Sequence, residues 1–299
     1  MDTSPAGTLV FNFSSNRLAA VDAASGRRTV RRVSSVAGCG PELFVTGGHV
    51  IFGGVRGGNT VVFSAPISLD RPPKRLGGAH AFVPSATPGR VWLAGTDCSR
   101  RTMVGLREVT VHGRTTFASR GRVPGTWLEG AVDGGLVVLR RRTSAVWDPH
   151  TETSGRPLPL AGAADAHGKL LYGCARRSRC REMLILDTAT GRRVLARQEG
   201  PYRLDPGGEF SPDGSLLAAP AVAGRSWSVA LIDTRDGTTS IVPGSSTGAV
   251  YPDPNWAASS GWLFFRAGGR RLMAYRPGAG PAITLHFRMP RRALGFVAG

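Results

Sequence analysis

Residues 210–218 read FSPDGSLLA. Phe210 stands before SPDG, which has the composition of a chain reversal, and SLLA then opens an apolar strand. Twelve residues further on, ALIDTRDGTT (230–239) is an apolar run, an Asp, three residues, then a Gly four places after the Asp. The same pattern stands in LILDTATGRR (184–193) and AAVDAASGRR (19–28). Its chemistry is that of a hairpin. The Asp carboxylate can accept backbone N–H groups just ahead of it, and the Gly takes the positive φ the turn needs.

Degenerate copies fill the gaps at 61–76, 106–119, 144–160 and 272–285. Aligned on the Asp, the seven copies centre on positions 22, 68, 110, 148, 187, 233 and 276, in steps of 38 to 46 residues. That period matches a four-stranded propeller blade of roughly 40–45 residues. A second turn, usually with Gly, recurs between the copies in VTGGHVIF, SATPGRVWL, AVDGGLVVL, DAHGKLLYG, SPDGSLLAA and ASSGWLFF. Each unit therefore reads as strand a, turn, strand b, loop, strand c, Asp-Gly turn, strand d. No stretch keeps a 3.6-residue apolar period between caps, so almost no helix is expected.

The ends complete the count. GTLVFNF (7–13) aligns with a strand b that has no strand a before it, and RRALGFVAG (291–299) is a strand with no partners after it. The expected fold is all-β: a seven-bladed β-propeller of four-stranded antiparallel blades. The C-terminal strand joins the N-terminal blade and closes the ring, which leaves no open edge at the seam. The whole chain, 1–299, reads as one such domain. Its blades are expected at about 7–36 plus 291–299, 37–79, 80–124, 125–162, 163–201, 202–246 and 247–290.

FSPDG before an apolar strand, followed by LIDTRDG, resembles the WD40-like repeat of TolB-type propellers. WDPHT (147–151) and LILDTATG (184–191) are similar to the WD40-like and YVTN-like propellers of actinobacteria. The likeness spans the chain as a repeat pattern and is sharpest at 184–240. The paired GH and WD dipeptides of eukaryotic WD40 blades are absent as a regular feature, and Trp147-Asp148 falls at a turn. The resemblance implies a rigid binding platform presenting one loop face to a protein or envelope partner, with no cofactor and no enzymatic step. A monomer is expected.

Composition agrees with many turns joining many short strands. Gly (41) and Pro (21) together make up about a fifth of the chain, yet apolar residues reach 41%, which excludes disorder and collagen. No apolar stretch approaches the roughly 20 residues of a membrane-spanning helix. MDTSPAGT has neither a basic nor an apolar leader region, so no signal peptide is visible. The formal charge is +18, and Lys74 and Lys169 are the only lysines among 38 basic residues. Such a charge attracts nucleic acid, acidic polymers or anionic lipid, so a polyanion- or nucleic-acid-binding module acting through an arginine-rich rim is an alternative reading.

Candidate chemistry sits at the starts of the innermost strands, which line a propeller's channel. Glu42, Glu129, Asp165, Asp205, Glu209 and Asp253 all fall there, with His80 and His167 near them. Converging carboxylates at the channel mouth would suit a lyase or hydrolase. Alternatively, each acid caps its own turn or pairs with an arginine. No metal-ligand spacing is present, so no metal is expected. GSSTG (244–248) fits G-x-S-x-G, but a strand start, VYPDPNW, follows where a nucleophile elbow needs a helix. GGVRGG (53–58) lacks the helix and Lys-Ser/Thr pair of a phosphate loop. Of the four cysteines, Cys174 and Cys180 flank a hairpin loop in disulfide range, and Cys39 and Cys98 form a second candidate pair. Two bridges would favour an oxidising, extracytoplasmic compartment.

Overall fold

The computed structural model describes residues 4–13, 16–33, 43–56, 59–97, 102–119, 121–140, 143–175, 182–197, 200–258, 261–291 and 293–299. For residues 55, 56, 59, 96, 97, 102 and 156 it describes the backbone alone.

Along the chain, blade I holds β1 (Thr8–Phe13), β2 (Arg17–Asp22) and β3 (Arg28–Arg32). Blade II is β4 (Leu43–Thr46), β5 (His49–Arg56), β6 (Asn59–Pro66) and β7 (Lys74–Gly78). Blade III is β8 (Ala81–Pro84), β9 (Arg90–Asp97), β10 (Thr102–Thr110) and β11 (Thr115–Ala118), with the two-residue β12 (Arg122–Val123) also on β10. Blade IV is β13 (Trp127–Val132), β14 (Gly135–Arg140), β15 (Thr143–Asp148) and β16 (Thr153–Pro157). Blade V is β17 (Gly162–His167), β18 (Leu170–Cys174), β19 (Met183–Asp187) and β20 (Arg193–Leu195). In blade VI the inner strand is broken into β21 (Arg203–Leu204) and β22 (Glu209–Phe210), followed by β23 (Leu216–Ala223), β24 (Ser226–Asp233) and β25 (Thr239–Ile241). Blade VII is β26 (Asn255–Ala257), β27 (Trp262–Ala267), β28 (Arg271–Tyr275) and β29 (Ile283–Arg288). The last strand, β30 (Ala293–Ala298), pairs antiparallel with β1, so the C-terminus supplies strand a of blade I. The fold is the seven-bladed, all-β propeller expected. A single 3-10 turn at Gly268–Arg270 is the only helical element among the described residues.

The repeated Asp-Gly pattern builds the same c–d turn three times. Gly26, Gly191 and Gly237 have φ of 70°, 74° and 77°. Each donates its N–H to the main-chain oxygen of the Asp four residues back, at 2.8, 2.8 and 2.9 Å. The side chains of Asp22, Asp187 and Asp233 accept N–H bonds from Ser25, Ala189 and Arg235. The Ser25 hydroxyl and then its N–H pull Asp22 below the ordinary carboxylate range, and the Arg235 guanidinium and then its N–H do the same for Asp233. At Asp187 burial is the largest single effect and opposes the shift, but the bonds from Thr190 and Lys169 outweigh it.

Packing explains why strand b reads as a continuous apolar run. A blade is covered on both faces, so both sets of alternating side chains are buried. In β1, Leu9, Phe11 and Phe13 face blade VII, where they meet Phe264 and Leu272, while Val10 faces blade II and meets Val50 and Phe52. Seven such apolar layers are present, one in each junction between neighbouring blades. Burial falls outward: β1 is almost wholly buried, and the outer β3 alternates exposed and half-buried. Outer edges carry arginines such as Arg28, Arg32 and Arg193, which blunt edge-to-edge pairing.

Because the strands of a blade alternate in direction, its b–c and d–a connections lie on one face of the ring. Its a–b and c–d turns lie on the other. These are called the loop face and the turn face below.

Candidate functional site

The inner strands of blades IV, V and VI are irregular, and each places a carboxyl near the channel. In β13 the pairing skips from Leu128 to Gly130, so Glu129 is the extra residue of a bulge. In β17 it skips from Ala163 to Asp165, leaving Ala164 exposed. In blade VI residues 205–208 separate β21 from β22, and Glu209 opens β22. Bulges on inner strands re-aim side chains, and that is what brings these acids inward.

They do not project freely. Asp165 Oδ2 accepts the main-chain N–H of Phe210 at 2.7 Å, and Glu209 Oε2 accepts that of Trp256 at 2.9 Å. Trp256 Nε1 returns a bond to the Glu209 carbonyl at 3.0 Å. Each carboxyl therefore ties its blade to the next one round the ring. Glu129 Oε2 accepts the Ser144 hydroxyl at 2.6 Å within its own blade. Neither expected alternative, an own-turn cap or an arginine partner, describes Asp165 and Glu209.

Burial dominates the electrostatics. It pushes the Asp165 carboxyl up to about 7, against the two N–H groups that favour its charged form. Burial, then the neighbouring Asp165 charge, holds Glu209 well above the carboxylate range. Asp253, held at φ 49°, is raised by burial and partly relieved by Arg266. Asp205 belongs to a polar group on the loop face. Its carbonyl accepts the Tyr172 hydroxyl at 3.1 Å and its carboxylate accepts the Tyr251 hydroxyl at 3.1 Å. Burial first, and Asp205 second, raise both tyrosines above their ordinary range. Tyr251 also stacks edge-on against Trp227, with centroids 5.1 Å apart.

The remaining candidates separate. His80 is half-buried at the start of blade III, its N–H bonded to Ala94. His167 stands at the turn-face end of β17, its ring 6.3 Å from Phe210 and against the Gly214 turn. Glu42 lies outside the described residues. Among the described residues no group of three metal-ligating side chains converges. Ser245 of the GSSTG segment is buried and bonds to Val229, and Ser246 meets Ser226, as a blade-to-blade loop requires. Cys174 is disulfide-bonded, and Cys39, Cys98 and Cys180 lie outside the described residues.

Two clefts open on the turn face, between blades III and IV (about 370 Å³) and between blades VI and VII (about 400 Å³). Both are built alike, from the a–b turns of two neighbours and the c–d turn of the second. The first is polar, with Thr87, Asp133, Asp148 and His150; the second is lined by Pro212, Leu216, Trp256 and Pro277.

No family profile matches this chain, and no curated protein matches it. Among solved structures, it is similar to a protein from Lactobacillus plantarum at 12% identity and a TM-score of 0.61, covering 98% of this chain and 99% of that one. It is similar to TolB from Acinetobacter baumannii at 12% identity and a TM-score of 0.54, covering 98% of this chain and 66% of that one. It is also similar to an acylaminoacyl peptidase at 13% identity and a TM-score of 0.61, covering 94% of this chain and half of that one. At such identities the likeness is one of fold, a TolB-like propeller.

Proposed function

We propose that this protein is a binding scaffold whose rigid ring presents the loop face to a partner. One observation carries the reading. The two inner-strand acids best placed for acid–base work, Asp165 and Glu209, each bond the main chain of the next blade. They are spent on holding the ring together. A channel-mouth lyase or hydrolase would need those oxygens turned towards substrate. The test is a screen of ester, glycoside and peptide substrates from mildly acidic to neutral pH. No turnover is expected. Turnover that disappears in Glu129→Gln/Asp165→Asn/Glu209→Gln would overturn the scaffold reading.

The bond of Cys174 is assigned to Cys180, in the connection between β18 and β19. Cys174 faces Met183 across that pair of strands, so the hairpin needs only a short closure to bring the two sulfurs together. Non-reducing peptide mapping should give a Cys174–Cys180 cross-linked peptide. A link from Cys174 to Cys39 or Cys98 would overturn the assignment.

A further inference from the structure

Sorting the charge by face gives the scaffold a partner class. Among the described residues, the b–c connections of blades I, II, IV, VI and VII carry arginine or are bordered by it. These are Arg17 at the start of β2, Arg140 at the end of β14, Arg225 between β23 and β24, Arg270 just before β28 and Arg271 at its start. Arg56 ends β5 of blade II.

Arg17, Arg140, Arg225, Arg270 and Arg271 are exposed. None has a carboxylate partner among the described residues, where the ion pairs are Arg90–Glu108, Lys169–Asp187 and Arg235–Asp233. Those pairs belong to the turn-face half of the ring. The turn face also carries Asp22, Asp133, Asp148, Asp213 and Asp236, which offset its own arginines and lysines. The loop face has few such acids. Of these, Asp205 is engaged by Tyr251, and Asp253 is tempered by Arg266. Among the described residues the positive excess therefore falls mainly on the loop face.

We propose that the loop face docks on an anionic lipid bilayer. This rests on the scaffold reading and names its partner. The distribution of the arginines favours a plane over a strand. The described b–c arginines belong to blades I, IV, VI and VII, on opposite sides of the ring, so a flat anionic surface meets all of them, whereas a linear polymer crossing the ring meets only those along its track. Guanidinium groups suit this partner, since their forked donors match phosphate oxygens. The face also shows large apolar groups to solvent. Val104 is 50% exposed near the start of β10, Leu294 is 56% exposed near the start of β30, and Tyr251 is 38% exposed beside Trp227. Basic side chains with scattered aromatic and aliphatic tips are the composition of an interfacial binder.

The test is co-sedimentation of the full chain with phosphatidylcholine vesicles, with and without phosphatidylglycerol, at low and high salt. Binding is expected only with phosphatidylglycerol and is expected to weaken steeply with salt. Reversing Arg17, Arg140, Arg225 and Arg270 to Glu should weaken it about tenfold or more, at roughly a few-fold per charge near the surface. Reversing Arg27, Arg114, Arg193 and Arg276 on the turn face should leave it within about twofold. Both sets replace exposed side chains, and a thermal melt of each checks the fold. Leu294→Ala/Tyr251→Ala should weaken vesicle binding and leave any binding to duplex DNA unchanged. No binding to phosphatidylglycerol vesicles would overturn the proposal. So would equal losses in the two charge-reversed sets, or duplex DNA displacing the vesicles at equal salt. Turnover in the substrate screen tests the scaffold reading separately, because it needs no vesicles.

Discussion

Asp165 sits where a charge is costly and a bond is needed. Its oxygen holds the Phe210 N–H, yet burial lifts its carboxyl from 3.8 to about 7. A raised folded-state value means the folded chain holds the proton more tightly than the unfolded one. The stability this contributes is complete below about pH 4 and is lost as pH rises to about 7. Glu209 is raised for the same reason and acts in the same direction. The turn carboxylates Asp22, Asp148, Asp187, Asp213 and Asp233 are depressed, so their contribution is present above about pH 4 and is lost only as pH falls below it. Asp165→Asn keeps an acceptor for Phe210 without the charge. It should raise the melting temperature at pH 8 by a few degrees, about 1–2 kcal/mol, and flatten the decline between pH 4 and 7. An unchanged pH profile in thermal melts would show that Asp165 does not carry it. Glycines in the repeated turn differ by what they touch. A Cβ on Gly191 meets nothing within 4 Å, whereas one on Gly237 would fall 2.1 Å from the Leu195 carbonyl oxygen. Gly191→Ala should cost about 1–2 kcal/mol from its positive φ alone. Gly237→Ala adds a backbone clash worth roughly 1–3 kcal/mol more. Chemical denaturation of the two variants checks the order.

At the scale of elements, the decisive pairing is β30 with β1. It brings Phe296 against Phe11, with centroids 5.8 Å apart, inside the layer between blades VII and I. Phe296→Ala should cost about 3–5 kcal/mol, as for other buried aromatics. Removing residues 293–299 does more, because it also strips a partner from the whole length of β1 and exposes a buried edge. The truncated chain is expected to unfold over a broader range in calorimetry and to self-associate on size-exclusion chromatography. A sharp single transition and an unchanged elution volume would show that closure is dispensable. Neighbouring blades are also latched by arginines reaching across to main-chain oxygens. Arg31 reaches Leu69, Arg107 reaches Gly78, and Arg192 reaches Thr234 and Arg235. Part of the arginine content is therefore structural, and only the remainder is free to meet a partner.

For the whole molecule, seven apolar layers and one closed seam make a stiff disk with two unlike faces. The disk positions loops without moving them, which suits a platform. Charge separated by face orients such a disk: an anionic plane attracts the loop face and leaves the turn face, with its two clefts, towards solution. The vesicle experiment above tests that orientation through the contrast between the two charge-reversed sets.

The wheel was legible in the sequence because its signals are local. An Asp and a Gly four residues apart define a turn whose bonds all close within six residues, and each turn marks one blade. The missing strand a at one end and the spare strand at the other likewise showed where the ring closes. The arginines of the b–c connections were legible too, but only once strand directions had sorted them to one face. The fate of the candidate acids was not legible. Asp165 bonds to a residue 45 positions away and Glu209 to one 47 away, because a bulge or break in each inner strand aims a carboxyl at the neighbouring blade. Composition places acids near a channel. Whether a carboxyl faces a ligand or a main-chain N–H depends on how two blades pack, and that is a property of the closed ring.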